Sequence, residues 1–214
     1  DEVIIPAPYW VSYPDIVKLA GGNPVIIKTS PDNNFKISPD DLEKNITEKT
    51  KWLFINSPSN PTGQVYSKDE LINLAKIIKK YKNLYILSDD IYEYIRYQNN
   101  EKFYTIAELD EEIFSRTLTM NGVSKAYSMT GWRIGYCGGP IEIISAMRKL
   151  MGQSTSNPSS VSQWAAVEAL NSSKDFLNLW IESFKERRDF IVNYLNQCNG
   201  ISCLNPEGAF YVYP

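Results

Sequence analysis

Short, almost uninterrupted apolar runs recur along this chain with longer amphipathic stretches between them, and no other feature restricts the fold so strongly. PVIIKT (residues 24–29), KWLFIN (51–56), LYILSD (84–89), RTLTMNG (116–122) and RIGYCGG (133–139) read as strands. Runs this apolar predict strands buried on both faces. The intervening stretches carry helix signals. Ser67 is placed as an N-cap with Glu70 at the capping-box position, and Leu71, Leu74, Ala75 and Ile78 follow as one apolar stripe. Ser38 begins another helix, with Pro39 at its first position. Residues 141–151, 159–171 and 174–197 read as further helices. Strands alternating with helices predict an α/β fold: a parallel or mostly parallel sheet covered on both sides. No repeat or low-complexity linker interrupts the pattern.

Composition sets limits on function. The chain has 214 residues, 43% of them hydrophobic and 22% charged, enough to build a core. A net charge of −3 without a clustered basic run argues against nucleic acid as a partner. The lysine-rich piece at 76–82 reads as the wet face of a helix. The absence of histidine excludes Cys/His zinc sites and Ser-His-Asp or Cys-His catalysis. Cys137, Cys198 and Cys203 form no C-x-x-C pair, and an odd cysteine count without a signal peptide points to a reducing, cytoplasmic setting. No apolar run approaches the roughly 20 residues of a membrane span. The chain opens on DEVIIP without methionine and stops at GAFYVYP, read as a strand, so both flanks are expected to be missing.

In parallel sheets, ligands gather at the carboxyl ends of the strands, and the unusual residues cluster there. NSPSNPTG (56–63) follows one strand, SDDIY (88–92) closes the next, and Lys125 follows a third. Within NGVSKAYSMTGWRIGY (121–136), Lys125 and Arg133 suit the two ends of a site holding an aldehyde and a phosphate. Each piece alone has a plain reading. NSPSNPTG is turn chemistry, an acidic residue caps a strand end, and Lys125 and Arg133 are surface charges. The aromatics of APYWVSYP (7–14) fill a core. The functional reading rests on their joint order.

Taken together, APYWVSYP, SPSNPTG, SDDIY, SKAYSMTGWRIG and PEGAFYVYP resemble the class I aminotransferases, fold-type I enzymes that use pyridoxal 5'-phosphate, and specifically their bacterial aspartate aminotransferase branch. The resemblance covers essentially the whole chain. It implies a three-layer α/β/α large domain over residues 1–180 with its N-terminal part missing. Residues 181–214 would be a connecting helix and the start of a smaller α+β domain, with GAFYVYP as its first strand. It also implies roles. Lys125 would bond to the cofactor aldehyde and then act as general acid and base; burial makes a lysine easier to deprotonate. Asp89 would pair with the ring nitrogen, where a carboxylate favours the protonated ring by up to about 4 kcal/mol at intermediate dielectric. Tyr92 three residues on favours Asp89 over Asp90, to which no role falls. Tyr92 and Asn60 would bond the ring hydroxyl, Trp10 would stack on the ring, and Arg133 with Ser124 would bind the phosphate. Gly122 stands where other members carry serine and matches the N-G-x-S-K branch, while Gly131 and Gly135 would allow tight backbone approach around the arginine. No metal is implied. The implied reaction is ping-pong transfer from an amino acid, aspartate in the first instance, to a 2-oxo acid such as 2-oxoglutarate, by a cytoplasmic homodimer. Residues 152–160 are a candidate contact region near the site. The arginine for the substrate α-carboxylate and the partner-subunit residues would lie outside this stretch. A β-lyase or decarboxylase of the same fold, or a non-catalytic regulatory domain, are the rival readings.

Overall fold

The computed structural model describes residues 1–97 and 102–214. A six-stranded sheet runs in the order β2-β1-β3-β4-β5-β6. The strands are β1 (Glu2–Ala7), β2 (Asn23–Lys28), β3 (Thr50–Asn56), β4 (Tyr85–Asp89), β5 (Thr117–Gly122) and β6 (Gly135–Gly138). Every neighbouring pair is parallel except β5 and β6, which are antiparallel. The helices are α1 (Ser12–Leu19), α2 (Pro39–Asn45), α3 (Lys68–Ile78), α4 (Glu111–Phe114), α5 (Ile141–Gly152), α6 (Ser160–Asn171) and α7 (Asp175–Leu195). None of the described helices is long and apolar enough to cross a membrane.

Strand period two sorts the core into two layers. Ile4, Leu53, Ile55 and Ile86 face Leu42 of α2 and Leu71, Leu74 and Ile78 of α3. Val3 and Ile5 point the other way, toward Tyr13 and Val17 of α1, with Trp52 and Phe54 beside them. Each fully buried Leu or Ile contributes roughly 1.5–3 kcal/mol. The local signals hold in detail. Ser67 Oγ accepts from the Glu70 N–H while Glu70 Oε2 accepts from the Ser67 N–H at 2.7 Å, which closes the capping box. Ser38 Oγ accepts from Asp41 N–H, with Pro39 at the first turn of α2.

Four expectations are corrected. The first strand of the sheet, β1, and α1 behind it were not anticipated. Pro6 and Pro8 disguise β1, but Pro6 lies past the last pairing with β3 at Ile4↔Leu53, so its missing N–H breaks no ladder there. Burial on both faces holds for the central strands but not for β2 and β6, whose residues are largely exposed because they form the sheet edges. β6 is shorter than 133–139 because Arg133 has left-handed backbone, φ 56°. Residues 208–214 form no strand. A bridge joins Gly208 to Arg96, Ala209 N–H donates to Ile95 O at 2.8 Å, and the N–H groups of Glu207 and Gly208 donate to Gly63 O in the loop after β3 at 2.9 and 2.8 Å. Gly63 permits this docking. Its φ is +68°, and a Cβ there would lie 2.5 Å from Pro206 Cβ and 2.7 Å from Gly208 O.

Candidate active site

The carboxyl end of β4 is the centre of the site. Alternation along the strand sends Asp89 and Asp90 to opposite sides. Asp90 turns toward Ser88, whose hydroxyl donates to Asp90 Oδ1 at 2.7 Å, and toward Thr105. Burial pushes its carboxyl up to about 7, against the hydrogen bonds from Thr105 and Ser88. Asp89 turns toward α1 and Lys125. It is 5% exposed, and its Oδ2 accepts from the Tyr13 hydroxyl at 2.5 Å while Oδ1 accepts from Ile91 N–H at 3.3 Å. Burial pushes the Asp89 carboxyl up, and the Tyr13 hydroxyl, the Ile91 N–H and the positive charge of Lys125 oppose that shift.

The loop after β3 is fastened to the same place. Asn56, the last residue of β3, donates from Nδ2 to Asp89 O at 2.9 Å and accepts on Oδ1 from Asn60 N–H at 2.7 Å. Asn60 is thereby held beside β4. Its Nδ2 donates to the Tyr211 hydroxyl at 3.3 Å, and the Tyr211 and Tyr92 hydroxyls lie 2.6 Å apart. Burial, then the Tyr211 hydroxyl, pushes the Tyr92 phenol up. Lys125, half-buried in the turn after β5, places Nζ 5.7 Å from the centre of the Tyr92 ring and 5.8 Å from that of Phe210. Trp10, 40% exposed, stands edge-on to Tyr13 with ring centres 5.5 Å apart.

Asp89, Tyr92, Asn60, Lys125 and Trp10 are therefore joined through direct contacts or one intervening side chain. Ser124 is half-buried next to Lys125. Arg133 is exposed, and its Nη1 donates to Thr130 O at 2.9 Å rather than to the cluster. The expected tight approach lies at a different glycine. A Cβ on Gly122 would sit 2.9 Å from Ile134 O, whereas Gly131 has nothing within 4 Å and Gly135 only an ordinary contact at 3.5 Å. At Gly122 the end of β5 and the backbone entering β6 lie so close that a side chain there must push Ile134 or Gly135 aside.

Four contributors were missed: Tyr13, Asn56, Phe210 and Tyr211. Tyr13 lies three residues after Trp10 in the same aromatic run, the spacing of neighbours on one helical turn. Tyr211 and Phe210 lie in GAFYVYP, whose reading as a strand concealed them.

The donor set suits a flat aromatic aldehyde. A buried carboxylate can meet a ring nitrogen, an amine stands on the same side of the sheet edge, and a phenol and an amide converge on the Tyr211 hydroxyl, the position a ring hydroxyl would take. This ring end fits pyridoxal 5'-phosphate. At the phosphate end, Ser124 adjoins the cluster and Arg133 faces solvent.

The family model for aminotransferase class I and II matches residues 1–214. The aspartate/prephenate aminotransferase of Cereibacter sphaeroides is 53% identical over 214 residues, which is 100% of this chain and 53% of that protein. The protein of the same name in Nitrosomonas europaea is 54% identical over 213 residues, again 53% of its length. The crystal structure of the Rhizobium meliloti aspartate aminotransferase superposes with a TM-score of 0.97 at 50% identity, covering 99% of this chain and 53% of that one. The Thermus thermophilus aspartate aminotransferase with maleate gives 0.92 at 42% identity, covering 99% and 55%. The chain spans about half the length of the curated relatives it matches.

Proposed function

Because this chain belongs to the class I and II aminotransferase family, we propose that it carries the cofactor-binding part of an enzyme that moves an amino group from aspartate to a 2-oxo acid. The acceptor we assign is 2-oxoglutarate, with prephenate as a second acceptor suggested by the names of the relatives. The observation that carries this reading is the placement of one buried carboxylate, Asp89, and one lysine, Lys125, on the same side of the sheet's carboxyl edge. Pyridoxal phosphate, when bound, supplies an aldehyde for the amino group and an electron-poor ring.

The chain's own residues do the rest. Lys125 holds the aldehyde end and afterwards moves the proton at the substrate α-carbon. Asp89 keeps the ring nitrogen protonated. Tyr92 and Asn60 hold the ring hydroxyl, and Trp10 covers one face of the ring and excludes water. Ser124 and Arg133 take the phosphate, which requires Arg133 to turn from Thr130 toward the cluster. Residues 1–180 would belong to the large domain and 181–214 to the start of the small one, in a homodimer. The free state of Cys137, Cys198 and Cys203 supports a cytoplasmic setting.

The test is product analysis with the full-length protein. Aspartate and 2-oxoglutarate should give oxaloacetate and glutamate in equal amounts without free ammonia. Ammonia release, or carbon dioxide in place of an oxo acid, would refute the transferase reading in favour of a lyase or a decarboxylase.

A further inference from the structure

The Tyr13–Asp89 hydrogen bond is the shortest polar contact in the cluster around Lys125 and joins residues 76 positions apart. An ionised carboxylate only accepts, so the phenol must donate. Tyr13 has little freedom to do otherwise. It is 4% exposed, and its ring is fixed edge-on between Phe54, at 5.4 Å, and Trp10, at 5.5 Å. Val3, Ile5 and Val17 complete the packing. The hydroxyl is thus aimed at Asp89 Oδ2 by a rigid ring with two side-chain torsions.

Asp89 has only modest support otherwise. Its backbone donor, Ile91 N–H, lies at 3.3 Å, and the Lys125 amine contributes charge without a hydrogen bond. Burial disfavours the charged form of a carboxylate so placed. Donation from Tyr13 stabilises the anion, lowers its basicity and leaves lone pairs on both oxygens for a further donor.

We propose that Tyr13 is a positioning residue for the cofactor ring: by donating to Asp89 it holds the carboxylate ionised and oriented, so that the proton shared between Asp89 and the ring nitrogen stays on the ring. This rests on the assignment of Asp89 to the ring nitrogen. No proton is gained or lost by the pair; the Tyr13 bond decides on which side of the Asp89–nitrogen contact it lies. Without that bond Asp89 becomes more basic, the proton moves toward the carboxylate, and the ring withdraws electrons less strongly.

The experiment uses full-length protein loaded with pyridoxal phosphate labelled with 15N in the ring and reads the nitrogen chemical shift, which distinguishes protonated from unprotonated pyridine. Asp89→Asn should give the unprotonated shift. Tyr13→Phe should lie between that value and wild type, with cofactor dissociation about tenfold to a hundredfold easier, as expected for one lost hydrogen bond to a charged group. Incorporation of 3-fluorotyrosine at position 13, a stronger donor of the same shape, should move the signal the opposite way and covers the case in which Tyr13→Phe does not fold. A signal that moves in Asp89→Asn but stays at the wild-type value with both the phenylalanine and the fluorotyrosine would overturn the role of Tyr13 and leave that of Asp89 intact. A signal unmoved by Asp89→Asn would overturn both.

Discussion

Replacing Gly122 with serine sets the resemblance against the geometry. The resemblance implies serine at this position in some members of the family, which would suggest that Gly122→Ser adds a phosphate donor and tightens cofactor binding. The structure leads to the opposite expectation. A Cβ at residue 122 would lie 2.9 Å from Ile134 O, 3.1 Å from Ile91 Cδ1 and 3.2 Å from Gly135 Cα. Favourable carbon contacts lie near 3.5–4.0 Å, so the backbone at 134–135 must retreat by roughly half an ångström. That backbone is the start of β6, paired to β5 through Gly122↔Gly135, and Val123 N–H donates to Ile134 O at 3.3 Å. The retreat therefore strains the turn that carries Lys125. Overpacking of this kind costs about 1–3 kcal/mol. Thermal melts of the full-length apo-protein, with cofactor affinity by fluorescence titration, measure it. Gly122→Ser should melt lower and bind cofactor more weakly. Gly131→Ser, where nothing lies within 4 Å, should change stability by less than about 0.5 kcal/mol. An unchanged melting temperature with tighter cofactor binding in Gly122→Ser would refute the packing argument.

Three further outcomes follow from other parts of the fold. Borohydride reduction of the cofactor-loaded full-length protein should fix the label on Lys125, and peptide mapping that finds it on Lys149 would displace the site. Asp90 is raised from 3.8 to about 7 in the fold, so the native state binds more protons than the unfolded chain between those values and its stability falls as pH rises through that window. Asp90→Asn should therefore gain stability relative to wild type at pH 8 more than at pH 5 in urea melts; equal changes at both would refute the assignment. Leu74→Ala, in the fully buried stripe of α3, should cost about 2–5 kcal/mol, and a loss under 1 kcal/mol in the same assay would show that the layer between β3 and α3 is not packed as described.

What could be read in advance was local or periodic. The caps at Ser38 and Ser67 need only three residues of context. The stripe of α3 and the central strands declare themselves by spacing. That Asp89 and Asp90 face different neighbours was legible in part, because neighbouring strand residues face opposite sides. Partners distant in sequence were not legible. Nothing in the chain before Tyr13 or after Asp89 announces that one donates to the other across 76 residues. The strand β1 was hidden by prolines that are harmless only because its pairing with β3 ends at Ile4. GAFYVYP has the alternation of a strand but finds no neighbouring strand among the described residues, and its predecessors hydrogen-bond to Gly63 O instead. Arg133 illustrates a further gap: its place in the motif was evident, whereas its orientation toward Thr130 is set by a left-handed backbone that the residue type does not favour.

Asn56 carries a consequence in chemical ageing. Its amide uses both ends in opposite senses, the nitrogen giving a hydrogen to Asp89 O and the oxygen receiving one from Asn60 N–H. Asparagine is thermolabile, and hydrolysis of this side chain to aspartate leaves a group of the same size and shape. The new oxygen faces the carbonyl of Asp89 with nothing to donate, and a negative charge arrives beside a carboxylate that burial already disfavours. The loop bearing Asn60 would then be fastened to β4 only by the longer bond from Ser57 N–H to Asp89 O, at 3.3 Å, while the core beneath it stayed intact. Stored protein would fade in cofactor binding long before its melting curve changed, with a mass increase of about one dalton at residue 56 as the only covalent trace.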